Sequence, residues 1–230
     1  MNNFYLFLLF YILPFTYLTA QDNGKWPETQ NIEGRHLEPV SSYFDLYNFE
    51  IIYYQKIREL LTRVDSNFVL KLRFLVIPSF TPEYVIQLEY NRTTRNYRLL
   101  MRQPEKSIWY SRYDSIDYQK INIKEQSAII DSVSANKLIM LYKTAIMDAR
   151  FKEKKYMILD GTSIYFTVVS FSSTMTAKTT SPPVNTPVGE LIKLSETLGN
   201  MLGKGKTHIH FSKDFNRRID ALIRRFRKND

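Results

Sequence analysis

The chain has 230 residues, a formal net charge of +9, no cysteine, 16 Tyr, 15 Phe and only 7 Gly. Without cysteine there is no disulfide and no lipid-anchored Cys, so the fold must hold by packing alone. The aromatic content and the scarcity of glycine exclude a disordered or low-complexity chain.

The first element is the apolar run Phe4–Leu18, followed by Thr19, Ala20 and Gln21. It is short of the roughly 20 residues a spanning helix needs, and Pro14 interrupts it just before the small residue Ala20. Residues 1–20 therefore read as a signal peptide cleaved after Ala20. The competing reading is a retained N-terminal anchor. Delivery by a signal places the chain in a periplasmic or secreted compartment, and the lack of cysteine suits a bacterial envelope. After removal of the signal no transmembrane span is expected. Residues 21–40 hold Gly24, Pro27, Gly34 and Pro39 without periodicity and read as a flexible spacer, with Trp26 its one residue suited to docking. About 190 residues remain, the size of one domain.

Over 43–64, Tyr53, Tyr54, Ile57, Leu60, Leu61 and Val64 recur at spacings of three and four, which predicts a helix. Phe68, Leu70, Leu72, Phe74 and Val76 alternate with Lys71 and Arg73, the two-residue period of a half-buried strand. Residues 83–90 and 97–102 alternate in the same way around the polar turn 91–96 and read as a hairpin, its acids facing its arginines. Residues 107–113 are expected to form a further strand, and 115–124 one more. Ser134 is expected to cap a helix running to about Arg150, with Leu138, Leu141, Tyr142 and Ala145 inward and an upstream extension over 125–133. Asp160-Gly161 between 156–159 and 163–169 reads as a tight hairpin turn. Residues 170–187, crowded with Ser, Thr and Pro, read as an exposed loop. Thr186 and Pro187 then open a helix whose buried stripe is Leu191, Leu194, Leu198 and Met201, with Gly203 as its stop. A short strand over 206–211 and a basic amphipathic helix over about 212–228 complete the chain. This order predicts a single α+β domain over 41–230, with a mainly antiparallel sheet and about four helices.

Within residues 159–202, Leu159-Asp160-Gly161-Thr162, Tyr165-Phe166, Ser181-Pro182, Gly189, Leu191 and Leu194 resemble the ending of many small exported bacterial proteins. That ending has a Leu-Asp-Gly hairpin, an aromatic strand, a Ser-Pro loop and an amphipathic helix. The Trp that such endings often carry before the Ser-Pro pair is missing. The resemblance implies a fold element and no activity.

Few residues point to chemistry. His208 and His210 flank Ile209, so on a strand both imidazoles share one face and could begin a metal site. Asp214 is the only carboxylate nearby, which leaves the set short of a coordination sphere. Asp114 and Asp117 form a pair of carboxylates in a Tyr-rich stretch. No Gly-x-Ser-x-Gly elbow and no glycine-rich phosphate loop occurs, and no cofactor is expected. Asn91-Arg92-Thr93 fits the glycosylation sequon, a short pattern that arises by chance and matters only in a eukaryotic secretory pathway. Charge is the clearer signal. Residues 204–230 carry nine Lys or Arg against three acids, which is six of the nine net charges. Along the last helix, Phe211, Phe215, Ile219, Leu222, Ile223 and Phe226 form an apolar stripe. Arg217, Arg218, Arg224, Arg225 and Lys228 occupy the other side and are the candidate partner-binding residues. An acidic protein or an anionic membrane surface fits them. Nucleic acid does not, because no base-stacking motif accompanies the charge and the chain is exported. The expected function is a non-enzymatic binding domain. The alternatives are an enzyme with a site assembled from scattered residues, with or without the help of a metal, and a structural envelope component.

Overall fold

The computed structural model describes residues 35–40, 51–113, 120–151, 161–170 and 173–228. The signal segment, Trp26, Asp114, Asp117, Asp160 and the 156–159 half of the expected hairpin lie outside them. Among the described residues, one sheet of eight strands organises the fold, in the order β1-β7-β6-β2-β3-β4-β5-β8. The strands are β1 Glu38–Pro39, β2 Phe68–Ile77, β3 Tyr84–Asn91, β4 Tyr97–Pro104, β5 Ile123–Ile130, β6 Ser163–Ser170, β7 Ser173–Thr180 and β8 His208–Ile209. Every pairing is antiparallel except β5 with β8, so the α+β expectation holds. Among the described residues five helices accompany the sheet, where about four were expected: α1 Ile51–Leu60, α2 Ile108–Ser111, α3 Ser132–Met147, α4 Pro187–Gly203 and α5 Lys213–Arg227.

The two sheet faces differ in kind. One carries Leu72, Phe74, Ile86, Leu88, Leu99, Ala128, Phe166 and Val168, which pack with the inward residues of α3, α4 and α5 into the main core. The other carries Leu75, Val85 and Tyr165, which pack with Tyr53, Ile57 and Leu61 of the α1 segment and Ile108 of α2. Polar residues occupy much of that second face, and several of them are buried, among them Arg73, Gln87, Glu89 and Arg102. A bulge in β2 explains the change of side. Phe68 and Leu70 stand opposite Asn91 and Glu89, whereas Leu72 and Phe74 stand opposite Leu88 and Ile86, so the register shifts at Lys71. The apparent single alternation from Phe68 to Val76 thus serves two faces, because an extra residue in one strand flips every later side chain.

Several expected elements are corrected by tertiary context. The end of the supposed spacer belongs to the domain: Leu37 is fully buried in the main core, and β1 pairs with β7. Residues 107–113 supply the short helix α2 and no strand. The carboxylate of Glu83, fully buried, accepts from the amides of Ile108 at 2.9 Å and Trp109 at 3.1 Å and from the Tyr53 hydroxyl at 2.7 Å, which holds that turn helical. Residues 123–130 form β5, so α3 has no upstream extension. Its N-cap is Asp131, whose side chain accepts from the Ser134 amide, and not Ser134 itself. The largest correction concerns the hairpin. β6 has β2 along one edge and β7 along the other. Its hairpin partner is β7, drawn from the stretch expected as a loop. Thr174, Thr176, Thr179 and Thr180 lie in it, and β-branched Thr suits a strand. Gly161 instead binds Ser79, donating to its Oγ at 3.0 Å and accepting from it at 2.7 Å.

The Thr186 cap and Pro187 start of α4 stand as expected, Thr186 Oγ1 accepting from the Gly189 amide at 3.1 Å. Glycine is required at 189, because a Cβ there would lie 2.3 Å from the Pro183 carbonyl oxygen. Gly203 is the last residue of α4 and not its stop; the chain turns at Gly205, with φ of 67°. The Tyr142 hydroxyl and Ser195 Oγ, 2.6 Å apart and buried, join α3 to α4. Burial raises the Tyr142 hydroxyl well above the ordinary tyrosine range, so this link stays neutral.

Candidate binding surface

The C-terminal helix α5 is built by its own sequence. Ser212 caps it, its side chain accepting from the Phe215 amide at 3.1 Å. Phe215, Ile219, Leu222, Ile223 and Phe226 recur at helical spacing and are all buried against α3 and α4. Arg224, Arg225 and Arg227 in the last turn complement the negative end of the helix dipole. The apolar stripe is therefore consumed by the core, and the basic side faces outward.

Helical spacing sorts that basic side into three rows. On the α3 side, Asp220 accepts from Lys137 Nζ at 2.9 and 3.0 Å, and the Arg227 guanidinium lies 4.0 Å from Met140 Sδ. On the α4 side, Arg225 binds Glu190, and Arg218 lies two turns earlier on the same row. Between them, Lys213, Arg217, Arg224 and Lys228 project outward at spacings of four, seven and four, and all four are exposed. Among the described residues, none of these four makes an ion pair. Asp214, one residue after Lys213, is the only acid in the first turn. The structure thus gathers Arg217, Arg224 and Lys228 on one exposed row, and sets Arg218 and Arg225 toward α4, where Arg225 is already paired.

The two histidines are not brought into a common site. His208 lies beside Thr207, its Nδ1 3.2 Å from Oγ1, and His210 Nδ1 lies 3.1 Å from Asp131 Oδ2. Asp131 is in turn occupied by the Ser134 amide and hydroxyl at 2.9 and 2.7 Å. Among the described residues no three His, Asp or Glu side chains assemble as a metal-ligand set. On the opposite sheet face, an open depression of about 330 Å³ is lined by Phe68, Asn96, Arg98, Ser127, Ile129 and Thr207 among others, with no carboxylate or imidazole in its wall. The Arg98 guanidinium there is committed to Glu89 at 2.6 Å and Asp65 at 3.0 Å. Burial works against its charge, but the two carboxylates outweigh it and hold Arg98 above its ordinary range.

Sequence reasoning missed two features of this side of the molecule. Val133, Met140 and Met147 of α3 are exposed large apolar residues. Their seven-residue spacing was visible but was overshadowed by the inward stripe of the same helix. The contact between His210 and Asp131 joins residues far apart in sequence and left no signal. No protein family, curated protein or solved structure matches the chain. Among the described residues, no helix is long and apolar enough to cross a membrane.

Proposed function

We propose that this protein is an exported, non-catalytic domain that binds an acidic protein or anionic surface through the outward row of α5. The observation that carries the reading is the row itself: four exposed cations on a helix whose apolar side is already used. Such a cluster is costly in self-repulsion unless it serves solubility or an oppositely charged partner. Export rests on the Phe4–Leu18 run and the small residue Ala20, and periplasmic or secreted delivery follows from it. Alanine at Lys213, Arg217, Arg224 and Lys228 is expected to lower the salt concentration at which the protein leaves a polyglutamate matrix. A charge-matched control with alanine at Arg58, Arg92, Lys120 and Lys124 is expected to lower it much less. Equal losses in the two variants would reduce the effect to net charge and overturn the reading. In a host that exports the chain, N-terminal sequencing is expected to find Gln21; an intact Met1 would remove the cleaved-signal part.

A further inference from the structure

The geometry points to a more specific occupant: the joint face of α3 and α5 docks an acidic amphipathic helix of another protein. This deepens the reading of α5 as a binding surface and rests on it. The outward side of α3 presents Val133, Met140 and Met147, which are 67%, 44% and 69% exposed and stand seven residues apart. At 1.5 Å per residue that line runs about 21 Å, the length of four helical turns. Cations border it on both flanks. Lys143 is exposed on one side, and on the other Arg227 reaches Met140, with Arg224 beyond it on α5. The Lys137–Asp220 pair between the helices is internally neutral.

The pattern selects among occupants. An apolar line one side chain wide, repeating every seven residues, supplies one of the two heptad positions of the narrow seam that a second helix reads. A bilayer rewards a broad apolar face and is indifferent to register. A second copy would bring Lys143, Arg224 and Arg227 against the same like charges, which opposes association. A helix carrying carboxylates on both sides of an apolar line meets all three features, in the helix-on-groove mode of recognition. Methionine at two of the three seam positions suits such a role, because its unbranched side chain adapts to varied partners.

The test uses a labelled synthetic helix of about three heptads, with Leu at one heptad position and Glu on both flanks, and a scrambled peptide of the same composition. Binding to the full chain is read by fluorescence anisotropy. The patterned peptide is expected to bind at least tenfold more tightly than the scrambled one. Met140→Gln with Met147→Gln is expected to weaken the patterned peptide at least tenfold and leave the scrambled one unchanged. Arg224→Gln with Arg227→Gln is expected to weaken both. All four positions are exposed, so thermal unfolding midpoints are expected to stay put and report intact folding. Equal binding of the two peptides, indifferent to the methionines, overturns the docking seam while leaving the charge-based reading of α5 in place. No peptide binding together with retained polyglutamate affinity also overturns the seam alone. No binding in either assay removes both. Methionine-dependent binding to phosphatidylglycerol vesicles without peptide binding would make the occupant a bilayer and overturn the helix.

Discussion

Asp131 sits where β5 ends and α3 begins, and it also meets His210 from the segment leading to α5. Burial raises its carboxyl, but hydrogen bonds from the Ser134 amide and hydroxyl and from His210 outweigh that, and it is held below the usual carboxylate range. Its stabilising contribution is therefore complete above the unfolded-state pKa of about 3.9 and is lost as pH falls through the lower folded-state value. Asp131→Ala is expected to cost about 1 kcal/mol at neutral pH, the ordinary worth of an N-cap. The gap between the two proteins in urea midpoint is expected to close at the acid end; a gap that stayed constant there would assign the stabilisation to another group. The reach of the sequence at this scale is uneven. Thr186 and Ser212 were legible as caps or helix starts because the signal is local. Arg73 and Arg102 were not: their alternation reads as solvent-facing, yet both are buried. Arg73 donates to the Thr62 carbonyl at 2.6 Å, and Arg102 donates to Arg63 at 2.6 Å and to Glu125 at 2.7 Å. Turned so that both ends are satisfied, the Gln87 amide donates to Leu61 and accepts from Arg73, each at 3.1 Å. These groups satisfy the carbonyls just after α1, and only the fold brings that turn over the sheet.

Among the elements, α5 shows how one helix can be both structural and available. Its apolar residues belong to the main core, with Ile219 fully buried, while its outward row is exposed. Ile219→Ala is expected to destabilise the domain by about 2–5 kcal/mol, the cost of a cavity at a packed site, whereas Arg224→Ala is expected to stay within about 0.5 kcal/mol. Chemical denaturation of both variants decides the matter. An unchanged midpoint for Ile219→Ala would mean that α5 is detachable and free to use its apolar side elsewhere. The long periodic elements α4, α5, β3 and β4 were readable because burial imposes a clean period on them. β5 and β7 were not, for a shared reason. Both are polar strands near the sheet margins, where little burial is enforced, so Lys124–Ser127 and the Ser/Thr run of β7 lack an apolar alternation. Ile108-Trp109-Tyr110 failed in the opposite sense: three residues suited to strands are held helical by the buried carboxylate of Glu83.

For the whole molecule, the alternation of strands and helices identified the fold class, but the order of the strands depends on contacts between segments far apart in the chain. β2 lies between β3 and β6, so the sheet closes around a pairing that skips β4 and β5. The consequence is an asymmetric pair of margins. β1 covers β7 at Lys178 and Ala177, and β8 covers β5 only at Ile129 and Ile130. The register then fixes which β5 amides are exposed. Glu105 donates to Asn122, which directs Lys124, Gln126 and Ala128 toward β4, and Ile129 donates outward to Thr207 at 2.9 Å. The amides of Ile123, Glu125 and Ser127 therefore point away from the sheet and have no backbone partner among the described residues. Hydrogen exchange is expected to alternate along this strand, slow at Lys124, Gln126, Ala128 and Ile129 and fast at Ile123, Glu125 and Ser127. The central strands β2, β3 and β6, paired on both edges, are expected to be the slowest of all. Lys124 and Glu125 keep this open margin charged, a common defence against edge-to-edge association. Uniformly slow exchange from Ile123 to Ser127 would show instead that another strand occupies the margin, and its dependence on protein concentration would show whether that strand comes from a second copy.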